Sequence, residues 1–268
     1  MQTKVEGILL SKIPYQDRHL IGKILLRSGD VISIIFYGGQ GGGAKKKSST
    51  IELGYMLKIE LRTNTNKNRH LYHAREWQPL WYHKQIRLQH RAFYLLCLII
   101  EMVGKLAPAG NLHDEGKIQY ENPGLFRVAS NALFFMEKKL LLGPINIHYH
   151  LLLFLGKLLQ EQGIQPQRGS CALCDENLNL VISFILSPEH GGFICSLCLN
   201  IEEIQGHSLE GFAGLLLNSL NEIAKEKYAT LVLVEKEIPT RLNQALFHYF
   251  CFQYQLKTQD FKSFGMVF

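Results

Sequence analysis

Cys171 and Cys174 form one Cys-x-x-Cys pair, and Cys195 and Cys198 form a second. The 20 residues Asp175 to Ile194 lie between them, the spacing of a four-thiolate zinc site. Each pair places two thiolates on one tight turn, and a loop of this length can fold back so that four sulfurs surround one ion. Such a site has no open position for water or substrate, so the expected cofactor is one structural Zn2+ per chain. A redox dithiol calls for a single Cys-x-x-Cys beside a βαβ pattern, whereas the flanks Pro166 to Ser170 and Pro188 to Gly192 read as turns. A zinc deaminase calls for Pro-Cys-x-x-Cys, but Ser170 precedes Cys171 and Ile194 precedes Cys195. Two disulfides stay open chemically. Met1 to Gly7 carries no apolar signal segment, so a reducing cytoplasm is the expected setting. Cys97 and Cys251 stand alone in apolar stretches and read as small core residues.

The elements that position these residues are bounded by composition. With 268 residues, 47% hydrophobic and 19% charged, the chain can bury a sizeable core in two or three small domains. Its longest apolar run, Ala92 to Ile100, is about half of a membrane span, so a core helix is expected and no membrane partner. The net charge of +6 is uneven: residues 1–80 hold 13 Lys or Arg against 6 Asp or Glu, and residues 81–268 hold 16 against 17. A basic segment on an otherwise neutral chain suggests a polyanionic partner.

That basic segment reads as β. Val5 to Leu10, Leu20 to Leu26 and Val31 to Phe36 are short β-favouring runs separated by turn signals. From Ile51 to Leu61 apolar and mostly polar residues alternate strictly, predicting one long strand, and Arg69 to Glu76 is a fifth run. Five short strands in about 80 residues suit an OB-fold barrel. Between the third and fourth strands lies a Gly/Lys loop, Gly38 to Lys47. It fails as a phosphate loop, because no Gly-Lys-Ser/Thr triplet occurs and a strand follows it. Lys45, Lys46 and Lys47 could instead follow a phosphate backbone as point charges, or simply keep a loop soluble. Lys12, Arg18, Arg62, Lys67 and Arg69 lie in other loops or strand ends, interleaved with Tyr15, Tyr37 and Tyr72. Backbone charge with aromatic platforms is the chemistry of single-strand binding, although Tyr in small barrels is more often packing.

From about Tyr82 the period becomes helical. Lys84 to Lys105, Gly124 to Leu142 and Ile145 to Gln162 are expected helices. After the cysteine loop, Ser208 is expected to cap a helix burying Leu209, Phe212, Leu215, Leu216, Leu220 and Ile223, and a last helix runs from near Pro239 to Gln255. His83, His90, His148 and His150 have no metal-ligand spacing and read as surface or helix-end histidines. Asp114-Glu115 and Glu202-Glu203 are adjacent and cannot face one another on a helix. No nucleophile, base and oxyanion set has motif support, so the chain is read as no enzyme. The fold class expected is α+β: an N-terminal OB-fold β-barrel over 1–80, then an α-helical domain over 81–268 with a four-cysteine zinc module inserted at about 168–200.

In this order the pattern resembles the RecO family of bacterial DNA repair proteins. The resemblance rests on Val5-Glu6-Gly7-Ile8-Leu9-Leu10, Tyr15 to Leu20, Gly29 to Ser33, the Gly/Lys loop, Leu53 to Leu61 and Leu71-Tyr72, then on Gly163 to Cys174, Phe184, Gly192 and Cys195 to Cys198. It runs along essentially the whole chain, with a loop richer in glycine than the family pattern. It implies a cytoplasmic, nucleoid-associated recombination mediator that binds single- and double-stranded DNA and anneals complementary strands. Its implied partners are RecR, the C-terminal tail of the single-strand-binding protein SSB and, indirectly, RecA, which it helps load at gaps. Two other classes share these residues: an RNA-binding or transcription-associated barrel, and a zinc enzyme with an exchangeable water.

Overall fold

A computed structural model describes residues 3–39, 51–62, 71–110, 112, 123–180, 184–199 and 212–268, and divides the chain into two compact units, Met1–Glu137 and Lys138–Phe268.

In the first unit five strands close into a barrel: β1 (Lys4–Tyr15), β2 (His19–Leu26), β3 (Val31–Phe36), β4 (Met56–Leu61) and β5 (Leu71–Trp81), in the order β1-β2-β3-β5-β4. Antiparallel pairing of β1 with β4, Lys4 opposite Glu60 through Ile8 opposite Met56, completes the closure, while β3 and β5 run parallel. This is the expected OB-like barrel. Period-2 alternation fills it: Leu9, Ile24, Ile32, Ile34, Phe36, Leu57 and Ile59 point inward, with Trp77 packed against them. Gly7 is required where β1 passes β2, because a Cβ there would lie 2.4 Å from the carbonyl oxygen of Leu25. Ile8 and Leu10, on the opposite side of β1, are also buried, and Leu10 lies beside Gly104 of α2 (His90–Leu106).

The strand expected over Ile51–Leu61 is shorter than its alternation suggests. Gly54 adopts φ +77°, and the Tyr55 N–H donates to the carbonyl of Glu52 at 3.0 Å, so residues 52–55 turn and the strand starts at Met56. The turn docks on β1, where Gly54 N–H donates to Leu9 O at 2.8 Å and Leu9 N–H to Tyr55 O at 3.0 Å, beside a bulge between Leu9 and Ser11. Conversely β5 runs past Glu76 to Trp81 and includes Pro79, tolerated next to a bulge between Met56 and Leu57 of β4. The single helix expected from Lys84 is broken: α1 (Lys84–Leu88) ends at the extended residue Gln89, and α2 begins at His90. The Glu137 carboxylate caps α1, accepting from Gln85 N–H at 2.9 Å and Ile86 N–H at 3.0 Å. Arg87 then donates to Leu53 O at 2.9 Å and lies over the Tyr55 and Phe93 rings, which holds α1 to the turn before β4. Helix α3 (Pro123–Leu140) follows the expected limits closely.

The second unit is built around α4 (Ile147–Glu161), which is buried on nearly all sides and N-capped by Asn146, whose Oδ1 accepts from His148 and Tyr149 N–H. Helices α6 (Ala213–Lys225) and α8 (Thr240–Gln253) pack on it, and Gly156 lets α6 approach, since a Cβ there would lie 2.9 Å from Ile223. The expected cap Ser208 and Leu209 lie outside the described residues. Within α6, Leu216, Leu220 and Ile223 are buried as expected, but Leu215 is 37% exposed and Leu217 takes the inward place. Short helices α5 (Ser196–Leu199), α7 (Tyr228–Leu231) and α9 (Phe264–Val267) complete this unit with the hairpin β6 (Phe184–Ser187) and β7 (Gly192–Cys195). Among the described residues no helix is long and apolar enough to cross a membrane.

Candidate metal centre and nucleic-acid interface

All four predicted cysteines converge. The first pair sits on the turn that follows Ser170, held open by Asp175 in the left-handed region at φ +58° and tied by Asp175 N–H to Cys171 O at 3.0 Å. Ala172 N–H donates to Phe193 O at 2.8 Å, which draws this turn against β7. Cys195 ends β7 and Cys198 lies three residues on in α5, so both face the same point. Every sulfur lies within 4.8 Å of the others; Cys174 and Cys195 are 3.7 Å apart, Cys171 and Cys198 3.9 Å. Zn–S bonds of about 2.3 Å in a tetrahedron require sulfurs about 3.8 Å apart, so the cluster fits such an ion.

The electrostatics point the same way. Cys171 and Cys195 are fully buried, Cys174 is exposed and Cys198 is partly so. Burial alone would raise the Cys171 thiol, yet backbone N–H groups aimed at its sulfur, from Cys195 at 3.4 Å and Leu173 at 3.5 Å, carry it down to about 6. Cys198 is pushed far up, first by the hydrogen bond it shares with Cys174, then by burial and the other sulfurs. One thiolate is therefore favoured and four are not, unless a cation supplies the missing charge. The residues can hold a metal ion with all ligands from protein. The module is fastened within its unit: Arg168 donates to Leu220 O of α6 at 2.7 Å, Gln253 of α8 to Pro188 O at 2.9 Å, and the Tyr249 hydroxyl to Gly191 O at 3.3 Å.

Of the cations singled out for DNA, Lys45, Lys46, Lys47, Lys67 and Arg69 lie outside the described residues. Lys12 is paired with Glu52 at 2.9 Å and donates to Ile51 O at 3.0 Å. Arg27, Arg75 and Lys58 are likewise paired, with Glu6 at 3.0 Å, Glu60 at 3.2 Å and Glu6 at 3.9 Å. Arg18, exposed in the turn between β1 and β2, and Arg62, exposed just after β4, make no ion pair among the described residues. Arg62 lies over the Tyr37 ring at 4.9 Å from its centroid. Around Tyr37 are two residues that sequence reading missed: His19, edge-on at 4.8 Å, and His73, nearly parallel at 12° with its Nδ1 hydrogen-bonded to the Tyr37 hydroxyl at 2.7 Å. Their signal was outward position, since each precedes or follows an inward residue, Leu20 or Tyr72. Tyr72 itself is core: it is 4% exposed and its hydroxyl accepts from Leu112 N–H at 2.8 Å.

The histidines discounted as surface groups need correction. His83 is 1% and His150 2% exposed, and among the described residues no ring nitrogen of either makes a hydrogen bond, the Glu235 carboxylate standing 4.0 Å from His150 Nε2. Burial, the largest cause, lowers both to about 4, opposed at His83 by Glu137 and reinforced at His150 by Lys139. They are neutral packing groups at physiological pH.

No family profile matches the chain. Two curated proteins described as DNA repair protein RecO, from Dehalococcoides mccartyi strains BAV1 and CBDB1, are each 30% identical over 89 residues, 32% of this chain and 35% of theirs. The chain thus spans about a third of the length of the curated relatives it matches, and over that third it is similar to RecO.

Proposed function

We propose that this chain is a recombination mediator of DNA repair that binds single- and double-stranded DNA, anneals complementary strands and, with RecR, helps RecA onto gaps coated by SSB. In this reading the barrel, residues 1–80, takes the DNA, and residues 81–268 carry the protein contacts, including the acidic and apolar tail of SSB. The four cysteines hold one structural Zn2+, the protein acts in the cytoplasm at the nucleoid, and no bond-making chemistry is required of it. The observation that carries the reading is the similarity to RecO in a chain that joins a basic closed barrel to a four-sulfur cluster. Annealing suits such a surface, because cations lower the repulsion between two phosphate backbones and leave base edges free to pair.

A strand-annealing assay on SSB-coated complementary oligonucleotides, without nucleotide triphosphate, tests it. Annealing of both naked and coated strands is expected, with the coated reaction lost when SSB lacks its tail and the naked one retained. A requirement for ATP, or equal annealing on tail-less SSB, would overturn the central claim. Preference for RNA over a DNA strand of the same sequence would overturn the choice of nucleic acid.

A further inference from the structure

Lys12, Arg27, Lys58 and Arg75 are paired with carboxylates, whereas Arg62 lies over an aromatic ring. Its guanidinium carbon lies over the Tyr37 ring at 4.9 Å from the centroid, within cation–π reach, and the side chain is exposed among the described residues. Tyr37 is itself immobilised on two sides. His73 holds its hydroxyl at 2.7 Å, and His19 meets its edge at 4.8 Å with a 75° tilt. His19 is oriented in turn, because its Nδ1 accepts the Gly38 N–H at 3.1 Å. The backbone closes the arrangement: Arg62 N–H donates to His73 O at 2.9 Å, which ties the residue after β4 to β5, the strand that carries the histidine. Tyr15 lies opposite His19 in the β1–β2 register and is 37% exposed, extending the row of rings toward the turn that carries Arg18.

We propose that Arg62, set over the Tyr37 ring that His19 and His73 hold, is a stacking station for an unpaired base, and that it makes the barrel prefer single-stranded DNA to duplex. The inference rests on the reading that the barrel binds DNA. Three observations favour a base over a phosphate alone. A phosphate needs only charge, which a mobile Lys supplies, whereas this site pairs a planar guanidinium with an aromatic ring. Guanidinium planes and aromatic rings are the surfaces on which splayed bases stack, without regard to sequence. In a duplex both faces of each base are covered by neighbours, so only an unpaired base can use such a plane. The basic balance of residues 1–80, 13 cations against 6 anions, supplies the general attraction on which this selectivity is superimposed.

The test compares the full-length protein with Arg62→Lys and Tyr37→Leu by fluorescence anisotropy on an oligo-dT strand, an abasic strand of the same length and a duplex, across a salt series. Arg62→Lys keeps the charge and loses the plane; it should weaken oligo-dT binding about tenfold, with unchanged salt slope and unchanged duplex binding. Tyr37→Leu should do the same. On the abasic strand wild type and variants should bind alike. Arg62→Lys binding oligo-dT as wild type does, or both variants weakening all three substrates equally, would overturn the stacking station while leaving DNA binding intact. Wild type that binds none of the three would overturn the DNA reading and this inference with it.

Discussion

Replacing Cys195 by Ser probes the metal centre where geometry makes the sharpest demand. The centre of a regular tetrahedron lies about 0.61 of an edge from each corner, so zinc–thiolate bonds of about 2.3 Å call for S–S edges of about 3.8 Å; the opposite pairs Cys174–Cys195 and Cys171–Cys198 stand at 3.7 and 3.9 Å, with every sulfur within 4.8 Å of the others. Metal analysis of protein purified under reducing conditions without chelator should find about one zinc per chain, and X-ray absorption four sulfurs at about 2.3 Å with no oxygen or nitrogen neighbour. In Cys195→Ser the backbone N–H that donates to Cys171 is retained, so the turn keeps its local support and loses one ligand only. Three sulfurs and one light atom at about 2.0 to 2.2 Å should replace the four, with the ion lost to a mild chelator that leaves wild type loaded. Cys195 ends the β6–β7 hairpin, and Arg168 and Pro188 tie the segments around the cluster to α6 and α8, so melting temperature should fall with metal loss. Wild type without zinc, or with a water oxygen in its first shell, would refute the argument, and the second result would reopen the zinc-enzyme reading.

Replacing Lys45, Lys46 and Lys47 together by Ala should weaken DNA binding across all sequences and flatten its salt dependence by about 0.7 in slope for each lost single-strand phosphate contact. Unchanged affinity and slope would reduce that loop to a solvated connection and leave Arg62 and Arg18 as the cations to pursue. A third prediction concerns acid. His83 and His150 titrate near 4 in the fold and at 6.5 when unfolded, so the unfolded chain binds protons first; stability is complete above about 6.5 and declines as pH falls toward 4. The loss between pH 7.5 and 5 is about 2 kcal/mol for each histidine, and urea midpoints at the two pH values should show it, with a smaller shift in His83→Gln and His150→Gln. Midpoints that do not move, or a shift the substitutions leave unchanged, would refute it.

The cysteines were legible because their chemistry is local: two pairs and a loop length define a four-sulfur site before any fold is known. The barrel was legible because short β-favouring runs lie between turn signals and one stretch alternates strictly, and α3, α4 and α8 because Pro and Gly mark their ends. What escaped depends on long-range geometry. The turn at Gly54 is set by its docking on the bulged stretch of β1, some forty-five residues earlier. His150 looked like a surface group because periodicity assigns a helix one wet face, and α4, buried on nearly all sides, has little such face. His19 and His73 meet at Tyr37 only through the order in which the strands pair, β2 beside β3 and β3 parallel to β5, which no run of residues announces.

That strand order also constrains how a partner can be recognised. An open sheet offers an edge whose N–H and C=O groups can capture another chain as an added strand. Here the β1–β4 ladder uses the last edge, five residue pairs from Lys4–Glu60 to Ile8–Met56, and the parallel β3–β5 pairing uses the other. Where these ladders run, recognition on the barrel falls to side chains on its outer faces and to its connecting turns. Cations paired with Glu6, Glu52 and Glu60 have their charge locally balanced, so they add little net attraction for a phosphate chain. Among the described residues, Arg62 over Tyr37, with Arg18 in the β1–β2 turn, combines unpaired charge with contacting rings. If a strand of DNA crosses this barrel, that is where its bases meet the protein, and Arg62→Lys is the substitution that separates a meeting with bases from a meeting with phosphates alone.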